Sequence, residues 1–263
     1  MVHSAYTKTN EDQFHSSKNY MGKTMWLFGE KGVNVYNVDG TELKNHLDAS
    51  EICGPKAEYE GPSWGYCRFN GMVSDGKKYV WAAVNRGKPV IDVFDINTGS
   101  VVGSFDTCDS PDNLEYHPLR DEIWVRCSDV DVNSTSPSNL DVFSASNPTG
   151  DVLVNILMKD RALTENLSSE GSTVVDNSLG DVGYLTDMEL PSLFQMDLSE
   201  KTITDKFELT PVSYGLGDAV YSPVNKHIFI RSIQCCSCGF EGADLESCRG
   251  ESYNVTPTTG NFL

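Results

Sequence analysis

The sequence is short of positive charge. Twenty Lys and Arg stand against 38 Asp and Glu, a formal net charge of −18 over 263 residues. A surface of that sign repels phosphate backbones and anionic lipid headgroups, which excludes nucleic-acid binding and peripheral membrane binding. Long apolar runs are missing too: no stretch approaches the ~18 consecutive apolar residues of a membrane helix. The polar start, MVHSAYTKTNEDQFHSSKNYMGK, has no apolar core of a signal peptide. Histidine is scarce, at five residues. None of His3, His15, His46, His117 and His227 sits in a motif that makes it a catalytic base; His117 precedes Pro118 in a turn.

Helical periodicity is almost absent; only 158–165 suggests a helical turn. In its place are β-branched and aromatic runs of five to seven residues, separated by Gly, Asp, Asn and Pro. The first set of strands is expected at 24–28, 33–37 and 41–47, and the second at 67–73, 79–84, 90–95 and 100–105. A third covers 112–117, 122–127, 139–145 and 151–157, and a fourth 171–176, 182–187, 192–197 and 202–208. A fifth covers 215–221, 227–232 and 251–256. The order inside each set repeats: a strand ending in a turn (HPLRD, SPVNK, VSDGK), an apolar strand carrying Trp81, Trp124, Tyr184 or Phe229, then an amphipathic strand ending in Asp or Asn. Second strands recur about every 51 residues, and four strands at such a period mark the blades of a β-propeller. An ordinary sandwich shares the short strands and has no reason to repeat their order. The expected fold is therefore all-β: a β-propeller of four-stranded antiparallel blades, with about five blades visible and the ring incomplete. After a polar segment at 1–23, its units fall near 24–50, 67–106, 112–158, 171–209 and 215–263.

Several motifs carry chemistry on paper. Gly61-Pro62-Ser63-Trp64-Gly65 matches the nucleophile elbow G-x-S-x-G, but that motif needs a strand-to-helix turn, and here a strand follows. Asp129, Asp131 and Asn133 alternate as in a calcium loop, which places oxygens on one side of an extended segment. The turn glycine and terminal glutamate of an EF-hand are replaced by Ser134 and Leu140, so a solvated acidic loop accounts for them better than a calcium site. Acids gather around them, with twelve acids and two bases in 92–151. Calcium is the one cofactor the sequence suggests; otherwise none is expected.

Eight cysteines, Cys53, Cys67, Cys108, Cys127, Cys235, Cys236, Cys238 and Cys248, fit disulfides in an oxidising compartment. Cys108 and Cys127 bracket the start and second strand of one blade, a reasonable span for a bond. The four late cysteines, in QCCSCGFEGADLESC, fit disulfides better than zinc, because structural zinc sites favour two paired knuckles. Glycosylation sequons stand at Asn133, Asn166 and Asn254, about the number that chance allows. Trp26, Trp81 and Trp124 recur at equivalent positions and are expected between blades. Trp64, in a Gly- and Pro-rich loop, is the aromatic that best suits a partner-binding surface, with a loop plug the equal alternative.

From about residue 24 onward the chain resembles the C-terminal β-propeller-like region of the long follistatin-like secreted glycoproteins. The resemblance lies in WLFGEKGVNVYNV, in the stretch holding Cys53 and Cys67, and in KPVIDVFDINTGSVVGSF followed by DNLEYHPLRDEIWV. It continues in SLFQMDLSEKTITDKFEL and GDAVYSPVNKHIFI. The family implies an extracellular protein of no known catalytic activity whose propeller binds partners, and it includes cysteines at the places of Cys53 and Cys67.

The functional expectation is a secreted, non-enzymatic interaction module in an extracellular assembly. Its partner is an extracellular protein or a second copy of the chain, engaging strands left at the open propeller edges, 24–28 and 251–256. Two alternatives stand beside it. One is an acidic calcium- or mineral-associated matrix protein. The other is a lactonase-like hydrolase holding a metal in the propeller channel through Asp112, Asn113, Asp176 and Asp218, residues at the ends of inner strands.

Overall fold

The computed structural model describes residues 19–21, 24–29, 32–37, 41–54, 68–86, 89–108, 111–127, 139–148, 150–157, 171–187, 190–209, 215–232 and 252–255. Nineteen strands and one short helix lie among them. The first sheet comprises β1 (Asn19–Met21), β2 (Thr24–Gly29), β3 (Gly32–Asn37) and β4 (Leu43–Asp48), hydrogen-bonded in that order. The helix α1 (Ala49–Cys53) leads to the second sheet, β5 (Arg68–Ser74), β6 (Tyr79–Asn85), β7 (Pro89–Asp95) and β8 (Val101–Asp106). The third holds β9 (Pro111–His117), β10 (Glu122–Cys127), β11 (Asn139–Ser144) and β12 (Val152–Leu157). The fourth holds β13 (Thr173–Val175), β14 (Val182–Leu185), β15 (Ser192–Asp197) and β16 (Thr202–Glu208). The fifth runs β17 (Leu216–Ser222), β18 (His227–Ser232) and β19 (Ser252–Val255).

Each sheet is a meander, its strands paired in chain order. The paired strands of the first, second, fourth and fifth sheets are antiparallel throughout. The fold is all-β, built from propeller blades. It divides into two compact units, residues 1–125 with 141–155 and residues 126–140 with 156–263.

Strand positions match the sequence expectation to within a residue or two, with two additions. Asn19–Met21 lies inside the segment read as a polar N-terminus. It pairs with β2 through Asn19↔Trp26, Tyr20↔Met25 and Met21↔Thr24. Strand 24–28, expected at an open edge, is thus flanked by β1 on one side and β3 on the other. The helix α1 was not foreseen because it is one turn long. Asp48 caps it by accepting the Ser50 N–H at 2.8 Å, and Gly54 ends it at φ 78°. The helical turn expected at 158–165 lies outside the described residues.

The turns repeat a simple chemistry. An aspartate at a strand end folds its carboxylate back onto the next backbone amides: Asp75 accepts from Lys77, Lys78 and Tyr79, Asp95 from Asn97 and Thr98, and Asp197 from Ser199 and Glu200. A residue in the left-handed region then closes each turn. Glycine serves at Gly76, Gly99 and Gly180, while Asp121, Lys201 and Lys226 bear the strain of a side chain at φ 53–58°.

The first unit's core is made where one blade meets the next. Trp26 on β2 sits edge-on to Phe94 on β7 at 6.1 Å, and Trp81 on β6 meets Phe143 on β11 at 6.2 Å. These are one contact used twice: a second-strand tryptophan against the third-strand phenylalanine of the following blade. Phe28 extends the first cluster to Phe69 at 5.0 Å and Phe94 at 6.0 Å, and Phe105 extends the second at 5.7 Å from Trp81. Trp26, Trp81 and Trp124 are all fully buried, as packing between blades requires. In the second unit a separate core gathers Val174, Tyr184, Leu193, Leu216, Ile228 and Ile230.

Trp26 and Trp81, two of the first unit's indoles, differ in one respect. Trp26 Nε1 donates to Thr24 Oγ1 at 3.2 Å, whereas Trp81 Nε1 has no acceptor among the described residues. Trp81→Phe therefore removes volume and an unsatisfied N–H together, while Trp26→Phe also abandons a hydrogen bond. In urea unfolding, Trp81→Ala should cost about 3–5 kcal/mol. Trp81→Phe should cost distinctly less than Trp26→Phe.

Candidate functional site

Three of the residues expected in disulfides are described, Cys53, Cys108 and Cys127, and all three are in the disulfide form. Cys53 closes α1, and Cys127 ends β10 with its side chain buried. Next to Cys108, Thr107 Oγ1 approaches Asp141 Oδ2 at 3.2 Å and the Cys108 sulfur at 3.5 Å. Cys67, Cys235, Cys236, Cys238 and Cys248 lie outside the described residues. So do Asp129, Asp131 and Asn133 of the acidic loop, the sequon at Asn166, and Trp64. Asn254 falls on β19, opposite Phe229 of β18.

The positions considered for a channel metal are scattered in role. Asp112 and Asn113 both lie on β9, and Asp218 lies in β17, where the register with β18 shifts between Leu216 and Ala219. Asp176 is committed to a turn: its Oδ1 accepts both the backbone N–H and the hydroxyl of Ser178. That arrangement serves the chain direction of the 3-10 turn Asn177–Leu179 and leaves one oxygen of the carboxylate engaged twice. His117 is buried and accepts the Arg120 N–H through Nδ1 at 3.2 Å, a use that closes the HPLRD turn.

Two buried polar clusters went unnoticed in the sequence. In the first unit, Asp92 on β7 is fully buried against the Arg86 guanidinium, with Nη1 to Oδ2 at 3.0 Å and Nη2 to Oδ1 at 3.2 Å. Arg86 also donates to the Ile52 carbonyl at the end of α1 and to Ser104 Oγ on β8. One guanidinium thus ties the inter-blade helix to three strands of the second blade. Burial pushes the Asp92 carboxyl up from its ordinary value, and the Ser104 hydroxyl and Arg86 pull it back only in part.

The second cluster lies in the second unit. Arg126, fully buried, donates through Nη1 to the carbonyls of Thr186 at 2.6 Å and Ser172 at 3.3 Å. Thr186 Oγ1 accepts the Ser172 N–H at 2.7 Å and donates to the Gly217 carbonyl at 2.7 Å. Thr186 follows β14 while Gly217 lies in β17, so this hydroxyl links the fourth blade to the fifth. Gly171 must be glycine here. Its φ is 150°, and a Cβ would come within 2.4 Å of the Thr186 carbonyl oxygen and 3.1 Å of Arg126 Nη1.

The surface carries a third feature. Five aliphatic side chains at the starts of outer strands are 42–53% exposed: Leu43 on β4, Val101 and Val102 on β8, and Val152 and Leu153 on β12.

Comparison with solved structures returns the fold. The chain is similar to Kuenenia stuttgartiensis hydrazine synthase, with a TM-score of 0.66 at 12% identity over 99% of this chain and 67% of that one. It is also similar to a protein of unknown function from Bacteroides caccae, with a TM-score of 0.57 at 12% identity over 95% of this chain and 80% of that one. At such identity the likeness is one of fold alone. No family model and no curated protein matches the chain.

The Arg86–Asp92 pair yields a test of its own. Removing the guanidinium strands the buried Asp92 carboxylate in a dry site, so Arg86→Met should destabilise by about 3–5 kcal/mol. The double variant Arg86→Met/Asp92→Leu should recover most of that loss. The pH dependence has an unusual sign. The folded carboxyl titrates above the 3.8 of a free aspartate. As pH falls through that window the folded form takes up its proton first, and this one group stabilises the fold on acidification. A carboxyl-carbon NMR titration checks the direction.

Proposed function

We propose that the protein is a secreted, non-enzymatic interaction module acting in an extracellular assembly. The blade architecture fits a protein-interaction role, since it offers rigid, densely paired sheets with wide surfaces. The observation that carries the proposal is the disulfide form of Cys53, Cys108 and Cys127 on that scaffold, a state that persists in oxidising compartments. The likeness of its repeats to the follistatin-like glycoproteins points the same way. The buried polar chemistry also supports it, because Asp92, Arg86, Asp176 and His117 are each spent on helix, strand or turn contacts.

The expected bonds are Cys53–Cys67 and Cys108–Cys127, with the four late cysteines paired among themselves. Peptide mapping of native, unreduced protein tests this directly. Those pairings, together with glycan at any of Asn133, Asn166 or Asn254, would support export. Eight alkylatable thiols in freshly isolated protein would overturn it. Where the bonds are present, reduction should lower stability by about 2–4 kcal/mol for each.

A further inference from the structure

We propose that the outer rim of the first three blades is a docking surface for a basic, amphipathic protein segment, one that sets aliphatic anchors between lysines or arginines. This deepens the interaction-module reading and rests on it.

Exposure at this rim follows from strand geometry. In the first blade Tyr36 pairs with Leu43 and Val35 with Asn45, which leaves Lys44 as an extra residue. In the second, Phe94 pairs with Val101 and Val93 with Gly103, which leaves Val102 extra. Each is a β-bulge at the second position of an outer strand. A bulge breaks the two-residue alternation, so neighbouring side chains such as Val101 and Val102 both turn to solvent. The fourth blade has the same irregularity, with Met196 opposite Ile203 and Gln195 opposite Asp205. There the side chains are Thr202, Ile203 and Thr204, and Ile203 is buried. The apolar display therefore belongs to particular blades and is not a by-product of the bulge.

The strand starts succeed one another along the first unit. Asn45 Nδ2 on β4 donates to the Thr98 carbonyl in the turn before β8, at 3.3 Å. Gly103 on β8 sits against Pro148, and Phe105 against Gly150, in the turn before β12. The last turns of the second and third blades thus rest on the outer strand of the blade before. Leu43, the Val101–Val102 pair and the Val152–Leu153 pair stand at the starts of these three successive outer strands.

Charge selects the occupant. Residues 95–106 and 145–155, which contain the β8 and β12 starts, hold Asp95, Asp106 and Asp151 and no Lys, Arg or His. On β4 the Lys44 ammonium is held by Glu42 at 2.6 Å. A second copy would bring the same acids to the rim, on a chain already at −18. A basic partner gains from both the aliphatic contacts and the field.

The probe is a fluorescent peptide with Leu and Lys at helical spacing, titrated into the full chain at 150 mM salt and followed by anisotropy. A second peptide replaces each Leu by Gln at equal charge. Val101→Thr/Val102→Thr/Leu153→Thr should weaken the Leu–Lys peptide about ten-fold or more, and the Gln peptide should bind the wild type correspondingly weakly. Val224→Thr, which alters an exposed valine in the β17–β18 turn of the fifth blade, should change nothing. If the triple variant melts early, Val102→Thr and Leu153→Thr singly should each weaken binding about two- to five-fold. Equal affinity of wild type and variants overturns the proposal. So does indifference to the Leu-to-Gln change, or a wild-type dimer in sedimentation that the variants dissociate. Any of these results leaves the disulfide map, and with it the export reading, untouched.

Discussion

A tryptophan on the second strand of one blade, set against a phenylalanine on the third strand of the next, is the contact on which the first unit depends. Trp26 with Phe94 and Trp81 with Phe143 repeat it at 6.1 Å and 6.2 Å. A single four-stranded sheet has two apolar faces and cannot cover either alone. Stacking blade on blade buries both, and large flat side chains do so with little loss of rotamer freedom. The polar clusters are second to this. Arg86 with Asp92 and Arg126 with Thr186 satisfy backbone groups that the radial stacking would otherwise bury unpaired.

This division of labour explains what the sequence made legible and what it hid. Strand order and blade period were visible because each blade is local: strands pair with their chain neighbours, and aspartates such as Asp95 and Asp197 punctuate the turns within three residues. The indoles could be placed between blades because Trp26, Trp81 and Trp124 recur in step with that period. Long-range matters were opaque. Nothing near Arg86 in the sequence announces that it reaches the Ile52 carbonyl, 34 residues earlier. Nor does the apolar strand 122–127 announce the partner of Arg126: Thr186 lies 60 residues away, and both are fully buried. The helix α1 was hidden by brevity. The candidate site was less legible than the fold. Asp176, plausible as a metal ligand by position, proved to be a turn carboxylate, and the aliphatic rim was invisible until the bulges on β4 and β8 were seen to break the alternation.

Function on such a scaffold resides in what the interlocked blades hold outward. Asp75, Asp95, Asp176 and Asp197 each fold a turn, so their side-chain chemistry is local and structural. What remains is long-range: a strongly negative field, disulfides, and aliphatic side chains at strand starts. The proposed recognition of another protein draws on these attributes, and it requires that the blades keep a fixed relation to one another within the unit.

The most direct test of that dependence is a pair of double-mutant cycles, Trp26→Leu with Phe94→Leu and Trp81→Leu with Phe143→Leu, read by urea unfolding. Beyond the area lost, edge-to-face and tilted aromatic pairs couple by about 0.5–1.5 kcal/mol. Coupling of that size in both cycles, with the same sign, is the predicted result. Additive losses in either cycle would mean that the blades are held by their polar ties or their backbone alone, and would contradict the account.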